Sequence, residues 1–428
     1  MKINSLYLKN FKGIEDLSVD IQGKTTILFG INGVGKSTLL RAIDLLYANI
    51  ITDITKKKRL ANLEEDDIMF GKSRAEVAAE FVFHDGEYRF YSRSISRSGG
   101  RRHNAKELER LSTHFRECYI KDDYEDENGN WITVEDKKNM PVFVNYGVNR
   151  LVLNVPLRSS NKSSFEKMNA FDKAIESKID FRSLFEWFRN QEDIENQVKV
   201  RSDVNYIDKS LRAVKVAMLA MLEGFDDIRI DRNPLTMKVC KDGKNLKINQ
   251  LSDGEKCTIA LFGDLARRLA MANPSLDNPL EGSGVVLIDE VELHMHPSWQ
   301  RKVICVLKKT FPNIQFIITT HSPQVLGELD NSNTLIVLNR VDNIISAQGI
   351  ESLIGWDSNV ILEELMQTSS SNKAIMDKIS YAYELISERK YMEAEKFLDE
   401  VDALTKGRAQ GISRARMIIA KGKRNEKN

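Results

Sequence analysis

The chain has 428 residues, enough for two or three folded units at the usual ~100–200 residues each. Its 63 Lys and Arg against 62 Asp and Glu leave a formal net charge of +1, which excludes a global field drawing the protein to nucleic acid; any such contact has to be local. Cys118, Cys240, Cys257 and Cys305 are scattered without a Cys-x-x-Cys pair, so neither a disulfide framework nor a zinc knuckle is expected.

The chain opens with "MKINSLYLKNFKGI", a strand interrupted by polar residues rather than an apolar signal core. With no run approaching ~18 apolar residues, the expectation is a cytoplasmic protein without membrane association. Next comes "TTILFGINGVGKSTLL", in which Gly30, Gly35, Lys36 and Ser37 fill the pattern G-x-x-x-x-G-K-[ST]. An apolar strand precedes it and a helix-forming run, Leu39 to Tyr47, follows, as a phosphate-binding loop requires. The loop residues Gly30, Asn32, Gly33, Val34, Gly35, Lys36, Ser37 and Thr38 are the candidate nucleotide ligands. Glycines let successive amides face an anion, and the new helix adds its positive end. Lys36 is expected at the outer phosphates and the Ser37 hydroxyl at Mg²⁺.

From 75 to 140 the apolar and polar residues alternate in "AEVAAEFVF" and "EYRFYSRSIS", predicting antiparallel strands, and "KDDYEDENGN" then reads as a charged loop. Two short basic runs, "KKKR" at 56–59 and "SRSISRSGGRR" at 92–102, read either as solvated loops or as local nucleic-acid contacts. The strand "MPVFVNYGVNR" follows. From Ser163 to Glu223, "SFEKMNAFDKAIESK", "FRSLFEWFRNQEDIENQ" and "YIDKSLRAVKVAMLAML" show helical spacing.

"NQLSDGEKCTIALFGDLARRLA" predicts a long amphipathic helix with Ser252 as N-cap and Glu255 closing a capping box. "GVVLIDE" is a buried parallel strand ending in Asp289 and Glu290. With a phosphate loop upstream, Asp289 is placed to hold Mg²⁺ through water and Glu290 to activate the attacking water. The following "VELHMHPSWQ" holds His294 and His296, but these lack the i, i+4 spacing or added cysteines of the strong zinc patterns. Pro297 suits a first helical turn, so both histidines are expected on a loop. "NIQFIITTHSP" is a further strand, ending at His321, and "NTLIVLNR" and "NIISAQ" are strand-like. The segment "GWDSNVILEELMQTS" reads as helical, "KAIMDKISYAYELISERKYMEAEKFLDEVDALTKG" as two antiparallel helices, and "SRARMIIAKGKRNEKN" as a basic terminal helix.

Taken in order, "GINGVGKST", "LSDGE", "VVLIDE" and "TTHSP" resemble the ATP-binding-cassette type of P-loop ATPase, in its chromosome-maintenance and recombination-repair branch. The resemblance implies an α/β fold: a cassette-type core with an antiparallel β subdomain, a short helical insertion and a C-terminal helical region. The expected divisions are 1–150 for the first half of the core, 151–225 for the helical insertion, 226–350 for the second half, and 351–428 for partner docking. It further implies ATP and Mg²⁺ as cofactors and a homodimer, or a higher oligomer of head-to-tail dimers. In such a pair Ser252, Gly254 and Glu255 of the signature complete the site at the other copy's Lys36. Glu290 and His321 are the implied catalytic residues, His321 at the γ-phosphate, and Ser37 and Asp289 the metal ligands. Asn10, Phe11 and Lys12 would lie near the base, although a hydrophobic strand end explains them equally. The glutamine usual at the end of the "MPVFVNYGVNR" strand is missing, which leaves Asn145, Asn149 or no residue in its role.

"DEVELHMHPSWQ", "NYGVNR", the short insertion and the helical tail narrow the resemblance to standalone ATPases of Septu-type and retron-associated anti-phage systems. Those act with a separately encoded HNH nuclease, expected here on the C-terminal helices. Two alternatives share the core: an overcoming-lysogenization-type nuclease, whose Glu and Asp-x-Asp arrangement is lacking after His321, and a repair-type ATPase acting directly on DNA.

Overall fold

The computed structural model describes residues 1–56, 61–125, 131–135, 139–150, 165–342, 344–366, 373–406, 409 and 411–425. Strands are numbered along the chain: β1 (Lys2–Phe11), β2 (Ile14–Asp20), β3 (Thr26–Phe29), β4 (Arg74–Val82), β5 (Tyr88–Ser96), β6 (Gly100–His103), β7 (Lys121–Glu125), β8 (Trp131–Glu135), β9 (Val142–Tyr146), β10 (Phe225–Arg232), β11 (Leu235–Lys241), β12 (Lys244–Lys247), β13 (Gly284–Ile288), β14 (Ile314–Thr319), β15 (Thr334–Val341) and β16 (Ile344–Ile350). The helices of the first part are α1 (Lys36–Thr55), α2 (Ala105–Tyr119), α3 (Phe181–Arg201), α4 (Lys209–Leu219), α5 (Asp253–Ala272), α6 (Pro297–Thr310) and the single turn α7 (Pro323–Leu326). Residues Met1–Ser358 form one compact unit and Asn359–Asn428 a second. No described helix is long and apolar enough to cross a membrane.

The central sheet runs β16-β15-β3-β14-β13-β9. All its pairings are parallel except the edge pair β15–β16. Every residue of β3, β9, β13 and β14 is buried, the continuous apolar pattern of strands covered on both faces. Ile288 stands level with Tyr146 on one side and Ile318 on the other, and Ile318 with Ile27. The strands therefore end in one row, and the loops that follow them share one edge.

The expected antiparallel subdomain is the sheet β2-β1-β4-β5-β6. A further meander, β10-β11-β12, leads into α5. Two expectations are corrected. Helix α2 stands inside the stretch read as strands and loop; Asn104 caps it by accepting from the Glu107 amide, and Leu111, Phe115 and Tyr119 form its buried stripe. Its neighbour Lys121–Glu125, read as loop, is a strand paired with β8, whereas 126–130 lie outside the described residues. The helix read from "SFEKMNAFDKAIESK" is instead a 3₁₀ turn, Lys167–Phe171, followed by turns with Lys173 and Ser177 at φ +54°. Tertiary bonds override the helical spacing there, because Arg268 Nη1 takes the Ala170 and Asp172 carbonyls at 2.6 and 2.9 Å.

Arg268 belongs to a buried ionic knot. Asp264 on α5 accepts from Arg267 and Arg268 at 2.7 Å each and from the Tyr146 hydroxyl at 2.8 Å. Burial opposes its ionisation, but Arg268 and Arg267 outweigh burial and hold the carboxyl at about 2. The knot ties the end of β9 to α5 and to the 167–172 turn.

Asp44 on α1 is also buried, and no ion pair to it is among the described contacts. Burial pushes its carboxyl up to about 7, partly offset by the Asn145 amide and by Arg41. A carboxyl whose folded value lies above its unfolded one stabilises the fold while protonated, and that contribution is lost as pH rises from about 4 through about 7. We expect urea unfolding of the native chain to show this loss, and Asp44→Asn to remove from it about 1.4 kcal/mol per pH unit over that window. Equal slopes for the two proteins would contradict the assignment.

Candidate functional site

At the aligned edge, the loop after β3 uses glycine where other residues would be strained. Gly30, Gly33 and Gly35 have φ of +140°, +80° and +93°, and a Cβ on Gly30 would stand 2.4 Å from the Leu338 carbonyl oxygen. Gly35 is the N-cap of α1 and is not joined by any described capping side chain, so the first-turn amides are open to an anion. Asn32, Gly33 and Ser37 are exposed, Gly35 and Thr38 half-buried, and Val34 anchors the loop in the core. Lys36 Nζ lies across the loop, donating to the Gly30 and Ile31 carbonyls at 2.8 and 2.9 Å. Its Nζ is 3.3 Å from His321 Nδ1. Burial lowers the Lys36 amine to about 8 against the pull of Asp289, Glu290 and Glu292, and burial followed by Lys36 lowers the His321 imidazole.

The second strand end brings the acids. Ser37 Oγ donates to Asp289 Oδ1 at 3.1 Å, and the Thr319 hydroxyl donates to the same oxygen. The Glu290 amide donates to Thr319 Oγ1 at 2.8 Å, and an Arg150 guanidinium N–H donates to the Glu290 carbonyl. Glu290 needs this fixing because its φ of +47° lies in the left-handed region, strained for a residue with a side chain. Glu292 accepts from the Thr320 hydroxyl at 2.8 Å and the His321 amide at 2.6 Å, tying the acid loop to the histidine.

Phosphate loop, paired acids and histidine thus meet within one chain. A hydroxyl beside a carboxylate is a hard oxygen set that fits Mg²⁺, and the amides with Lys36 fit a polyphosphate. Arg150, Thr319 and Glu292 were not singled out by the sequence reading. Thr319 and Glu292 adjoin its motifs, while Arg150 closes the "NYGVNR" strand end whose glutamine is missing. Of the two candidate replacements, Asn145 donates to Ser177 Oγ at 2.9 Å and Asn149 is exposed, so it is Arg150 that contacts the acid loop.

Among the described hydrogen bonds and ion pairs, none joins the signature residues to Lys36. Ser252 is exposed at the N-terminus of α5, in the expected reciprocal bond with Glu255, which also pairs with Lys241 at 2.6 Å. Gly254 is buried under the acid loop, where a Cβ would meet the His294 carbonyl oxygen at 2.4 Å. His296 caps α6 by accepting from the Ser298 amide, and His294 has φ +65° on the turn before it. Phe11 is fully buried and Lys12 pairs with Asp67 at 3.7 Å.

Residues 25–327 match the family described as AAA domain, putative AbiEii toxin, Type IV TA system. The chain belongs to that family. Like its AAA-domain relatives it is a P-loop ATPase, with an α/β core, antiparallel sheets and helical additions. It is 29% identical to the Retron Ec83 probable ATPase of Escherichia coli, over 86% of this chain and 77% of that one. With the Retron Vc95 probable ATPase of Vibrio cholerae serotype O1 biovar El Tor it shares 27% over 80% and 74%. It is also 25% identical to the Septu protein PtuA of Bacillus mycoides (strain KBAB4), over 84% of this chain and 44% of that longer one.

Thr319 bonds both to Asp289 and to the amide of the strained Glu290. Thr319→Val keeps the shape and removes both bonds, so it should lower the ATPase kcat by roughly 10–100-fold, as loss of a supporting partner does. Nucleotide affinity, set mainly by the loop around Lys36, should change far less. Steady-state kinetics with a fluorescent-nucleotide titration measure both, and an unchanged kcat would remove Thr319 from the site.

Proposed function

We propose that this ATPase is the nucleotide-responsive scaffold of a bacterial anti-phage defence complex, pairing head to tail around ATP and controlling a separately encoded HNH nuclease. The carrying observation is the division of the motifs: Lys36, Ser37, Asp289 and His321 meet in one copy, whereas Ser252 is exposed at an α5 terminus beside the acid loop. A helix N-terminus attracts anions, so the signature end of a second copy suits the γ-phosphate held by the first. Bound Mg²⁺·ATP would supply the electrophilic phosphorus and the charge that Lys36 and the loop amides neutralise. Glu290 would then take the proton of the attacking water, Ser37 and Asp289 hold the metal, and His321 report on the γ-phosphate. The retron and Septu relatives support the defence setting.

The second unit supports a docking role. Helices Lys373–Ser387, Tyr391–Thr405 and Ile412–Asn425 share a core of Ile379, Leu385, Leu398, Val401, Ile412 and Ile419. Met392, Leu404 and Met417 nevertheless stand 81%, 66% and 73% exposed. One observation favours a second reading, direct contact with DNA: the edge strand β6 presents exposed Arg101, Arg102 and His103, although Arg93 of the same basic run is buried against the Leu45 carbonyl. Lys56 of the other run pairs with Asp53 at 3.2 Å, and 57–59 lie outside the described residues.

Lys36→Ala should abolish ATP binding, and Glu290→Gln should bind ATP and accumulate as a dimer in light scattering. ATP binding by Lys36→Ala at native affinity would overturn the site. Glutamates at Met392, Leu404 and Met417 should release a co-expressed nuclease from the neighbouring gene while ATP hydrolysis persists. If instead the chain alone binds DNA with an affinity that falls steeply with salt, the DNA reading replaces the scaffold.

A further inference from the structure

Away from the nucleotide site, the turn between β4 and β5 meets one face of α2. Asp85 lies in that turn, and its Oδ1 is taken by the Glu87 amide at 3.0 Å, leaving Oδ2 to face the helix. His114 and Cys118 are four residues apart on α2, so their side chains project from one face. Asp85 Oδ2 is 2.9 Å from His114 Nε2 and 3.7 Å from Cys118 Sγ, and the sulfur is 3.6 Å from the same imidazole nitrogen. The Phe83 ring packs edge-on against the imidazole with centroids 4.6 Å apart, restricting its rotation. Among the described residues these three form the one His, Cys and acid group tight enough to share a cation.

We propose that Asp85, His114 and Cys118 are a zinc site that fastens α2 to the β4–β5 turn. Zinc bonds of about 2.0–2.1 Å to nitrogen, 2.0–2.2 Å to oxygen and 2.3 Å to sulfur give tetrahedral edges of about 3.3 Å for O–N and about 3.6 Å for the edges to sulfur. The two sulfur edges already have that length, and the third needs only the loss of the direct His–Asp hydrogen bond as the ion enters between them. One carboxylate and one thiolate balance the two charges of the ion, with the thiol proton passing to solvent and water completing the tetrahedron. Hard cations such as Mg²⁺ avoid sulfur, so this site differs in chemistry from the oxygen pair Ser37 and Asp289. The alternative is a hydrogen-bonded trio without metal.

The 428-residue chain, purified without nucleotide, exposed to Zn²⁺ and desalted, should keep one equivalent of zinc per chain by elemental analysis. Replacing zinc by Co²⁺ should give a thiolate-to-cobalt charge-transfer band. Cys118→Ser should lose both the equivalent and the band, and Asp85→Asn should lose the retained zinc with its circular dichroism unchanged. Cys240→Ser should keep both. A native chain that retains no zinc and shows no cobalt band would overturn the proposal, as would a band that survives Cys118→Ser.

Discussion

The contact between Ser37 Oγ and Asp289 Oδ1 joins residues 252 positions apart, and it exists because β3, β14 and β13 run parallel with their ends level. A slip of one residue would turn each strand's side chains to the opposite face and break the row at Ile27, Ile318 and Ile288. That register is held by strands buried on both faces, and Gln315 of β14 ties the central sheet to β1 of the antiparallel one, its side chain accepting the Ile3 amide at 2.7 Å and donating to the Ile3 carbonyl at 2.8 Å. The apolar core and the polar site are therefore one construction: the first sets the register, and the second is what the register delivers.

Charge at the edge is arranged in opposition. Lys36 and His321 lie 3.3 Å apart; burial lowers both, and Lys36 further lowers the imidazole, while Asp289, Glu290 and Glu292 pull the other way. Arg150 adds a guanidinium to the acid loop through the Glu290 carbonyl. The ionic knot at Asp264 joins α5, whose N-terminus carries Ser252, to the end of β9. Strand β9 in turn pairs with β13, at whose end the acids lie.

Much of this was legible in the sequence because the signals are local. The glycines of "GINGVGKST" and the capping box at Ser252 and Glu255 each announce a backbone geometry, and the structure has both. The acids after "VVLI" were readable because a short, β-branched apolar run has the length and composition of a covered strand. What escaped depends on distant partners. Arg150 closes its strand with no pattern to announce a contact, and its guanidinium reaches a carbonyl 140 positions on. The helical spacing of 167–178 gave way to bonds from Arg268, and the highly charged surface of α2 concealed its buried stripe. The trio Asp85, His114 and Cys118 was invisible to a search for paired cysteines, since its acid lies on another element.

The central claim is that the hydrolytic site is assembled from two copies of this chain. Mixing two inactive variants tests it most directly. Lys36→Ala destroys the phosphate loop and Ser252→Arg the signature, so each alone should be inactive. In a mixed dimer the intact Lys36 of one chain meets the intact Ser252 of the other. Steady-state ATPase of the equimolar mixture should recover to roughly a quarter of native activity, since about half the dimers are mixed and each has one good site of two. Activity in the mixture no greater than that of the separate variants would contradict a shared site.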